Sequence, residues 1–307
     1  MRLLLTGATG LIGTHLLRRL ALRGDSVVAL VRDPERARSN APGAAEYVRW
    51  SAGSRSNDLP ALLDGADAVV NMAGAPAITR WTERARATIR ESRVEGTRSL
   101  VEAMARCTQP PGVLVSASAV GYYGLAPNGP VDESSGAGED FLAQTCRAWE
   151  AEAVRAEEFG VRVVLVRTGL VLSTEGGVLA SLLPLFRSFV GGPLGSGEQP
   201  FPWIHIDDEI EILLWSLDGY TVRGPVNAVA PGIVAYRTFA RALADLLRRP
   251  SWLRVPAWAL RLMLGKAAEM LLGGQEALPR RTLELGYRFR YDALEPALRA
   301  LLRREEG

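Results

Sequence analysis

The sequence contains few of the residues that bind metals or build disulfide frameworks. Its 307 residues include two cysteines, Cys107 and Cys146, and two histidines, His15 and His205. The cysteines are too few and too far apart for a disulfide framework, and the histidines complete no cluster with zinc-ligand spacing. We therefore predict no metal site. Low cysteine usage also fits a reducing compartment, so we expect a cytoplasmic protein.

The sequence also lacks an excess of charge of either sign. Lysine plus arginine total 36 and aspartate plus glutamate total 34, although Lys266 is the only lysine. A balanced charge gives no support for binding to nucleic acid or to an anionic membrane surface. We expect no nucleic-acid partner.

Long hydrophobic runs are absent as well. The stretch 258–272 comes nearest to a membrane segment, but Arg261, Lys266 and Glu269 interrupt it, and it is too short to span a bilayer. It is typical of an amphipathic helix. A charged leader with an apolar core is also missing, because a strand pattern starts with the first residues. We expect a globular protein with no membrane partner.

The first thirteen residues carry the strongest local pattern. An apolar run at 3–5 ends at Gly7, and Gly7, Gly10 and Gly13 have a GxxGxxG spacing that leads directly into a helical pattern. A backbone that turns sharply beneath a pyrophosphate has no room for a Cβ, and amide groups at a helix start point at phosphate charge. The strand before and the helix after favour dinucleotide binding over a plain structural turn.

Apolar runs and helical patterns alternate through the first half of the chain. The runs resemble buried parallel strands and cover 27–31, 46–50, 68–71, 113–115 and 161–166. After residue 172 the alternation breaks down, with one strand at about 224–230 returning to the sheet. We predict an α/β, Rossmann-type doubly wound parallel sheet in residues 1–172 and a smaller, mostly helical C-terminal substrate region in residues 173–307.

The residues after the second predicted strand bear on cofactor choice. An acidic residue about 20 positions beyond the glycines holds a free ribose 2′-hydroxyl, whereas a guanidinium suits a 2′-phosphate. Here Arg32 follows the strand, with Arg36 and Arg38 beyond it. We favour NADP(H) over NAD, with Arg32 near the 2′-phosphate. The alternative is that Arg32 is a solvated strand end and Asp33 holds the ribose.

Two further strand ends carry candidate site residues. Met72, Ala73 and Gly74 let a flat ring or ribose lie against the backbone, although tight packing explains them about as well. Ser118, Tyr122 and Tyr123 follow the fifth strand, at the edge where a doubly wound sheet places its substrate. For the tyrosines the alternative is a buried aromatic side chain whose hydroxyl bonds to the backbone.

Several motifs together resemble a known family. Four motifs resemble those of extended short-chain dehydrogenases/reductases. They are the glycine turn, residues 71–74, the serines before Tyr122-Tyr123-Gly124, and Trp203-Ile-His205-Ile-Asp207-Asp208. Those similar to an atypical branch, labelled epimerase-family, sugar-nucleotide-epimerase-like or "cell division inhibitor", include Arg80-Trp81, Glu91-Ser-Arg93, Gly195-Ser-Gly197 and Gly273-Gly-Gln275. The resemblance covers nearly the whole chain.

The resemblance implies an NADP(H)-binding oxidoreductase or epimerase-like protein of unknown substrate. It implies pyrophosphate contacts from the turn, which comprises Gly7, Thr9, Gly10, Leu11, Ile12 and Gly13. It places Met72 and Ala73, with Gly74 after them, on the adenosine side and Val171 near the nicotinamide. It also makes Arg93 a cofactor contact, whereas its position in a helix suggests by itself a solvated residue.

The chain departs from the family pattern where catalysis is concerned. Catalytic members of the superfamily carry Tyr-x-x-x-Lys, in which the tyrosine exchanges the substrate proton and the lysine lowers its pKa. One register puts Leu142 and Cys146 at these positions, and the other puts Gln144 and Ala148 there. The hydroxyls of Ser118, Tyr122 and Tyr123 would then be substitute proton donors. The alternative is a non-catalytic NADP(H)-binding sensor or regulatory protein.

A second departure concerns the substrate. Sugar-nucleotide epimerases commonly carry an arginine that grips the diphosphate before the His-x-x-Asp stretch, where this chain has Gln199-Pro-Phe201-Pro-Trp203. An aromatic, neutral lining suits a flatter or less charged ligand. We therefore expect a small-molecule substrate near Gln199 and Trp203, and the sequence leaves the oligomeric state open.

Overall fold

A seven-stranded parallel sheet forms the centre of the computed structural model, which describes residues 1–53, 58–125 and 129–305. Its strand order is β3-β2-β1-β4-β5-β6-β10, and all neighbouring strands are parallel. The strands are β1 (Arg2–Thr6), β2 (Ser26–Val31), β3 (Glu46–Arg49), β4 (Ala68–Asn71), β5 (Val113–Ala119), β6 (Arg162–Thr168) and β10 (Gly224–Ala228).

The central strands are continuous apolar runs because helices cover both faces of the sheet. Leu3 and Leu5 pack into the core on one face, and Leu4 packs into the core on the other. The N-terminal helices are α1 (Leu11–Leu22), α2 (Pro34–Asn40), α3 (Leu59–Leu63), α4 (Glu83–Met104) and α5 (Phe141–Val154). The predicted Rossmann-type doubly wound sheet is confirmed.

The C-terminal region adds two small sheets and a group of helices. β7 (Leu170–Leu172) pairs with β9 (Trp203–His205), and β8 (Pro200–Phe201) pairs with β11 (Val234–Ala235). The helices are α6 (Gly177–Arg187), α7 (Ile206–Asp218), α8 (Tyr236–Leu247), α9 (Ala257–Leu264), α10 (Glu269–Leu272), α11 (Arg280–Glu284) and α12 (Leu294–Glu305). β10 joins the sheet beside β6, in the stretch predicted to return to it. The boundary between residues 172 and 173 stays a prediction.

The single amphipathic helix predicted over 258–272 is wrong. Gly265 adopts φ +59°, and α9 ends before it. A short 3-10 turn, Gly265–Ala268, separates α9 from α10. Within the described ranges every helix is too short or too polar to traverse a bilayer. The same residues contain no group of three or more Cys, His, Asp and Glu side chains placed to hold a metal ion.

Candidate functional site

The glycine turn after β1 requires glycine at two of its three motif positions. Gly7 adopts φ +70°, and a Cβ there would lie 2.6 Å from the Met72 carbonyl oxygen. A Cβ on Gly13 would lie 2.1 Å from the Gly7 carbonyl oxygen. Gly10 differs, because its Cβ would remain 3.4 Å from that same oxygen. The tight turn therefore depends on Gly7 and Gly13, while Gly10 leaves room outside it.

The start of α1 is open toward the same edge of the sheet. Gly10 is the N-cap residue, so no side chain caps the first amide groups, and the first turn has no acidic residue. Those amides have no partner within the helix and carry the positive end of its dipole. Thr9 and Gly10 are exposed here, and Leu11 and Ile12 are half-buried. A glycine cradle beside uncapped amides fits the pyrophosphate of a dinucleotide.

Thr6 ties the end of β4 to the glycine turn. Its hydroxyl donates to Asn71 Oδ1 at 2.8 Å and accepts the backbone N–H groups of Met72 and Ala73, each at 3.0 Å. The Asn71 amide in turn donates to Thr97 Oγ1 on α4 at 2.8 Å. These buried bonds hold the Met72 and Ala73 backbone at the carboxyl edge of the sheet, next to Gly7.

Arg93 lies beside Gly74 and not in solvent. Its guanidinium donates to the carbonyl oxygens of Ala75 at 2.9 Å and Ile89 at 3.1 Å, and burial lowers its pKa. A Cβ on Gly74 would lie 3.0 Å from Arg93 Cζ, so glycine admits the arginine. The interpretation of Arg93 as a solvated helix residue is therefore wrong. Its role as a cofactor contact stays a prediction.

Arg32 and Asp33 lie at the end of β2, on the same edge as the glycine turn. Thr6 pairs with Leu30 across β1 and β2, so the residues that follow each strand share this edge. Arg32 is exposed, whereas Asp33 Oδ1 accepts the Arg36 N–H at 3.2 Å and caps α2. This cap uses Oδ1 of the carboxylate that the alternative interpretation assigned to the ribose.

Val171 in β7 approaches the glycine turn through Gly177. A Cβ on Gly177 would lie 3.3 Å from the Val171 carbonyl oxygen and 3.4 Å from the Leu11 side chain. The start of α6 therefore lies between Leu11 and Val171. These contacts bring the region after β6 against the start of α1.

A cavity of about 580 Å³ lies where the carboxyl ends of β5 and β6 meet the C-terminal region. Arg93 is the one charged side chain among the described residues that line it. Apolar side chains from both parts of the chain form most of its walls, including Val120, Leu142, Leu182, Phe201 and Leu271. Its size and lining are typical of small-molecule sites.

The start of α5 presents Leu142 and Cys146 to this cavity. Both residues line it, whereas Gln144 is exposed and its amide donates to the Glu139 carbonyl oxygen at 2.8 Å. Of the two registers for Tyr-x-x-x-Lys, the one that contains Leu142 and Cys146 therefore places its residues on the cavity wall. Burial, with a smaller contribution from the Glu150 charge, raises the pKa of Cys146 to about 12. The thiol is therefore protonated at neutral pH and unsuited to nucleophilic attack.

The hydroxyls of Ser118 and Tyr123 belong to a buried network beneath the cavity. Ser118 Oγ donates to Glu150 Oε1 at 2.6 Å, and Tyr123 OH donates to Asn227 Oδ1 at 2.7 Å. Arg167 joins the two halves, since it donates to both carboxylate oxygens of Glu150 and to Tyr123 OH. Burial raises the pKa of Tyr123 to about 12.

The structure does not bring the three candidate proton donors to the cavity. Ser118, Tyr122 and Tyr123 are not among the described residues that line it. The Tyr122 ring lies against the Arg167 guanidinium, whose Cζ is 3.5 Å from the ring centroid. Catalytic roles for these three residues stay predictions, and their observed contacts are those of the buried network.

Of the two residues predicted near the substrate, only Gln199 reaches the cavity. Trp203 is fully buried, and its indole donates to the Gly232 carbonyl oxygen at 2.9 Å. It belongs to the core because β9 pairs with β7 and turns the indole away from the cavity. The expectation that Trp203 lines the substrate site is therefore corrected.

Tyr236 and Thr168 are among the polar residues on the cavity wall that escaped the sequence analysis, along with Thr145 and Ser181. Tyr236 begins α8, and Thr168 ends β6. Thr168 Oγ1 donates to Glu209 Oε1 at 2.9 Å, and burial raises the pKa of Glu209 to about 8. No motif marks either residue. The only available signal was the position of Thr168 at a strand's carboxyl end.

Family models match most of the chain. The model of the NAD dependent epimerase/dehydratase family matches residues 3–227. A domain of unknown function, DUF1731, matches residues 255–301. The first match includes the whole glycine turn and most of the residues that line the cavity. The second covers α9, α10, α11 and most of α12.

Individual relatives align over nearly the full length. The chloroplastic "Epimerase family protein SDR39U1 homolog" of Arabidopsis thaliana is 40% identical, with 98% of this chain and 87% of the relative aligned. The Bacillus subtilis epimerase family protein YfhF is 33% identical, with 98% of each covered.

Solved structures agree with these alignments. The crystal structure of human epimerase family protein SDR39U1 (isoform 2) with NADPH superimposes with a TM-score of 0.89 at 36% identity, covering 99% of each chain. UDP-glucose 4-epimerase of Thermotoga maritima has a TM-score of 0.79 over 100% of both chains, but at 17% identity it shows the fold alone. The chain therefore belongs to the NAD dependent epimerase/dehydratase family.

Proposed function

We propose that the chain is an NADP(H)-dependent oxidoreductase or epimerase-like enzyme that acts on a small molecule held in the cavity. The observation that carries this proposal is the position of the cavity. On its sheet side the cavity is lined by Ala119 and Thr168, the last residues of β5 and β6, and by Arg93 of α4. The cofactor candidates follow β1, β2 and β4 at the same edge of the sheet. The cavity is mostly apolar and extends from the sheet edge to residues of the C-terminal region, as expected for a site that holds a small molecule beside the cofactor.

The residues around the glycine turn fit NADP(H), which the human relative contains in its crystal structure. The first amides of α1 would hold the pyrophosphate, and Arg32 the 2′-phosphate. Arg93 and the Met72 and Ala73 backbone would bound the remainder of the cofactor. When bound, the nicotinamide supplies the capacity to give or take a hydride.

Proton transfer is the step for which this chain departs from its superfamily. Leu142 and Cys146 line the cavity, and in the first of the two registers they would take the places of the family's tyrosine and lysine. We propose instead that Thr168 Oγ1 holds the proton for the substrate and that Glu209 replenishes it. With a pKa raised to about 8, the Glu209 carboxyl keeps its proton at neutral pH. Because Thr168 Oγ1 donates to Glu209 Oε1 in the structure, its hydroxyl has to turn toward the substrate as it gives up its proton, and it then accepts the proton of Glu209.

A second candidate function is a non-catalytic NADP(H) sensor or regulatory protein. It is favoured by the contacts of Ser118 and Tyr123, whose hydroxyls are both engaged within the buried network. The apolar Leu142 and the protonated Cys146 also favour it. On this view the protein keeps the residues that bind the cofactor but does not catalyse a reaction.

One experiment separates the two functions. The protein is mixed with NADPH and a panel of neutral ketones, aldehydes and enones, while oxidation of the nicotinamide is followed by absorbance. The melting temperature is measured in parallel, since a ligand that binds only the folded state must raise it. Turnover with any member supports the enzyme. A raised melting temperature without oxidation across the panel would contradict a reductase of such carbonyl compounds and favour the sensor.

Replacing Arg32 with aspartate should weaken NADPH binding far more than NADH binding. A charged hydrogen bond contributes about 1.5–3 kcal/mol, so the loss for NADPH should be at least about tenfold. Calorimetric titration of both nucleotides measures the difference. Arg106→Asp, an equal charge change after α4 at the opposite edge of the sheet, is the control. Equal losses for the two nucleotides would contradict the 2′-phosphate assignment.

A further inference from the structure

Large apolar side chains are exposed together on one face of the C-terminal region. Eight of the fourteen that are exposed among the described residues lie in two stretches of the chain, 185–197 and 248–268. We propose that this face binds to the surface of a lipid bilayer that contains anionic headgroups. The apolar face is defined by the aromatic residues of the eight and by those in 252–263, which gives Phe189, Trp252, Leu253, Trp258, Leu262 and Met263. None of these six lines the cavity, so the proposal does not depend on the proposed function.

Contacts between the two stretches hold them side by side. The Val255 N–H donates to the Pro193 carbonyl oxygen at 3.0 Å, and the Gly195 N–H donates to the Val255 carbonyl oxygen at 2.9 Å. The Arg249 guanidinium lies over the Phe189 ring, with Cζ 4.6 Å from the ring centroid. The apolar residues of the two stretches therefore belong to one surface, which continues along the chain into α9.

Helix α9 presents apolar side chains to the solvent. Trp258 and Leu262 are about one turn apart and are 69% and 73% exposed, whereas Leu260 between them is buried. A surface helix normally buries its apolar side and exposes its polar side. At about 150–250 Å² for each aromatic side chain, the exposed parts of Phe189, Trp252 and Trp258 amount to about 400 Å². Monomeric proteins rarely leave an apolar area of that size uncovered, and the face adds three aliphatic side chains to it.

Basic residues accompany the apolar face. The stretches 185–197 and 248–268 contain no acidic residue and six basic ones, which are Arg187, Arg248, Arg249, Arg254, Arg261 and Lys266. The acidic residues that flank the stretches, Glu198 and Glu269, form ion pairs with Arg237 and Arg261. The local charge is therefore positive, although the total charge of the chain is nearly balanced. The expectation of no membrane partner rested on that total, which conceals the local excess.

Shape and charge together favour a bilayer over a protein partner. Trp252, Trp258 and Leu262 are each more than two-thirds exposed, so these side chains project from the surface and do not line a groove. A bilayer accepts projecting apolar side chains without a matching shape, and tryptophan is favoured where lipid meets water. Basic side chains beside the face attract anionic headgroups. A second copy of the chain bound about a two-fold axis would bring this basic face against itself, which like-charge repulsion opposes.

Sedimentation with lipid vesicles tests the proposal. One set of vesicles is phosphatidylcholine alone, and the other is equal parts phosphatidylcholine and phosphatidylglycerol. We expect at least about tenfold stronger binding to the anionic vesicles, and weaker binding at about 1 M salt, where charges are screened within about 3 Å. Fluorescence emission should shift to shorter wavelengths on binding, because Trp252 and Trp258 leave water. Equal binding to both vesicle types would overturn the proposal. Absence of binding would also overturn it and would leave the face to a protein partner.

A matched pair of leucine variants locates the binding surface. Leu262 and Leu22 are both exposed, at 73% and 85%, and Leu22 ends α1, outside the apolar face. Leu262→Glu should weaken binding to anionic vesicles about tenfold or more, since it puts a negative charge into the apolar contact, whereas Leu22→Glu should change binding less than about twofold. Equal losses for the two variants would refute the assignment of the face. A dimer in ultracentrifugation that Leu262→Glu converts to monomers, without vesicle binding, would assign the face to a second copy and overturn the proposal. Since neither readout uses NADPH, a protein that binds anionic vesicles but never oxidises NADPH would contradict only the proposed function.

Discussion

Replacing Gly13 with alanine should abolish measurable NADPH binding, with an affinity loss of about a hundredfold or more, equivalent to about 2.7 kcal/mol. The new Cβ would lie 2.1 Å from the Gly7 carbonyl oxygen and 2.9 Å from Ala8 Cα, so the turn has to open. Helix propensity alone favours alanine inside α1 by about 1 kcal/mol. A net loss of stability therefore reports the collision, which we expect to cost about 3 kcal/mol. NADPH titration and denaturant unfolding measure the two effects.

Gly10→Ala and Gly136→Ala are the controls for this variant. A Cβ on Gly10 keeps 3.4 Å from the Gly7 oxygen, so the free protein should lose no more than about 1 kcal/mol, the cost of alanine in place of glycine at the N-cap. Any loss of NADPH affinity in Gly10→Ala then reports contact with the nucleotide and not a damaged turn. Gly136 has nothing within 4 Å of its Cβ position and should change neither measurement. If Gly13→Ala bound NADPH normally, the turn would not be the cofactor cradle.

Glu150→Gln should lower the free energy of unfolding by about 3–5 kcal/mol. Glu150 and Arg167 form a buried two-hydrogen-bond ion pair, with N–O distances of 2.9 Å and 2.8 Å. Burial alone lowers the pKa of Arg167, but the hydrogen bonds and charge of Glu150 outweigh it and raise that pKa. Removing the carboxylate takes away these favourable contacts, but a guanidinium stays protonated at neutral pH. Arg167 then becomes a buried unpaired charge, which is costly. Urea denaturation measures the loss.

The same helix provides a matched control. Glu152 lies two residues further along α5 and pairs with Arg98 and Arg155, both more than one-third exposed. Glu152→Gln should cost no more than about 1 kcal/mol, because water screens such pairs. The double variant Glu150→Gln with Arg167→Met should recover much of the lost stability, since it removes the unpaired charge. Similar losses for Glu150→Gln and Glu152→Gln would show that burial does not increase the contribution of the Glu150–Arg167 pair to the free energy of unfolding.

These variants also bear on Ser118 and Tyr123. Their hydroxyls bond to the two ends of the Glu150 and Arg167 pair, so they share in any rearrangement of it. If Ser118→Ala changed turnover without changing stability, the catalytic role predicted from its position would regain support. A loss of stability alone would assign it to the buried network.

Much of the fold could be read from residues that are close together in the chain. The apolar runs that became β1, β2 and β6 are recognisable because a strand buried on both faces needs continuous apolar residues. The glycine turn is recognisable because its spacing and its flanking strand and helix lie within thirteen residues. The single helix predicted over 258–272 is wrong because the prediction also used a local pattern. The apolar periodicity continues across Gly265 and does not show that the helix ends before it.

The candidate site could be read only in part. Helix periodicity by itself placed Arg93 in solvent, because it does not reveal that Gly74 leaves room for a guanidinium. Only the family resemblance made Arg93 a cofactor contact. Trp203 was expected in the cavity, but the pairing of β9 with β7 directs it into the core. Tyr236 had no local signal, because its place on the cavity wall depends on how α8 packs in the folded chain.

The sequence by itself determined the alternating strands and helices of the doubly wound sheet and the glycine turn, because the apolar patterns and the glycine spacing that mark them lie within residues a few positions apart. Only the tertiary structure decided which polar groups are engaged and which face the cavity. Ser118 and Glu150 are 32 positions apart, and Tyr123 and Asn227 are 104 apart, yet each pair is within hydrogen-bond distance. Burial and hydrogen-bond partnership arise from such long-range contacts, so the cavity and the buried network beside it exist only in the folded chain.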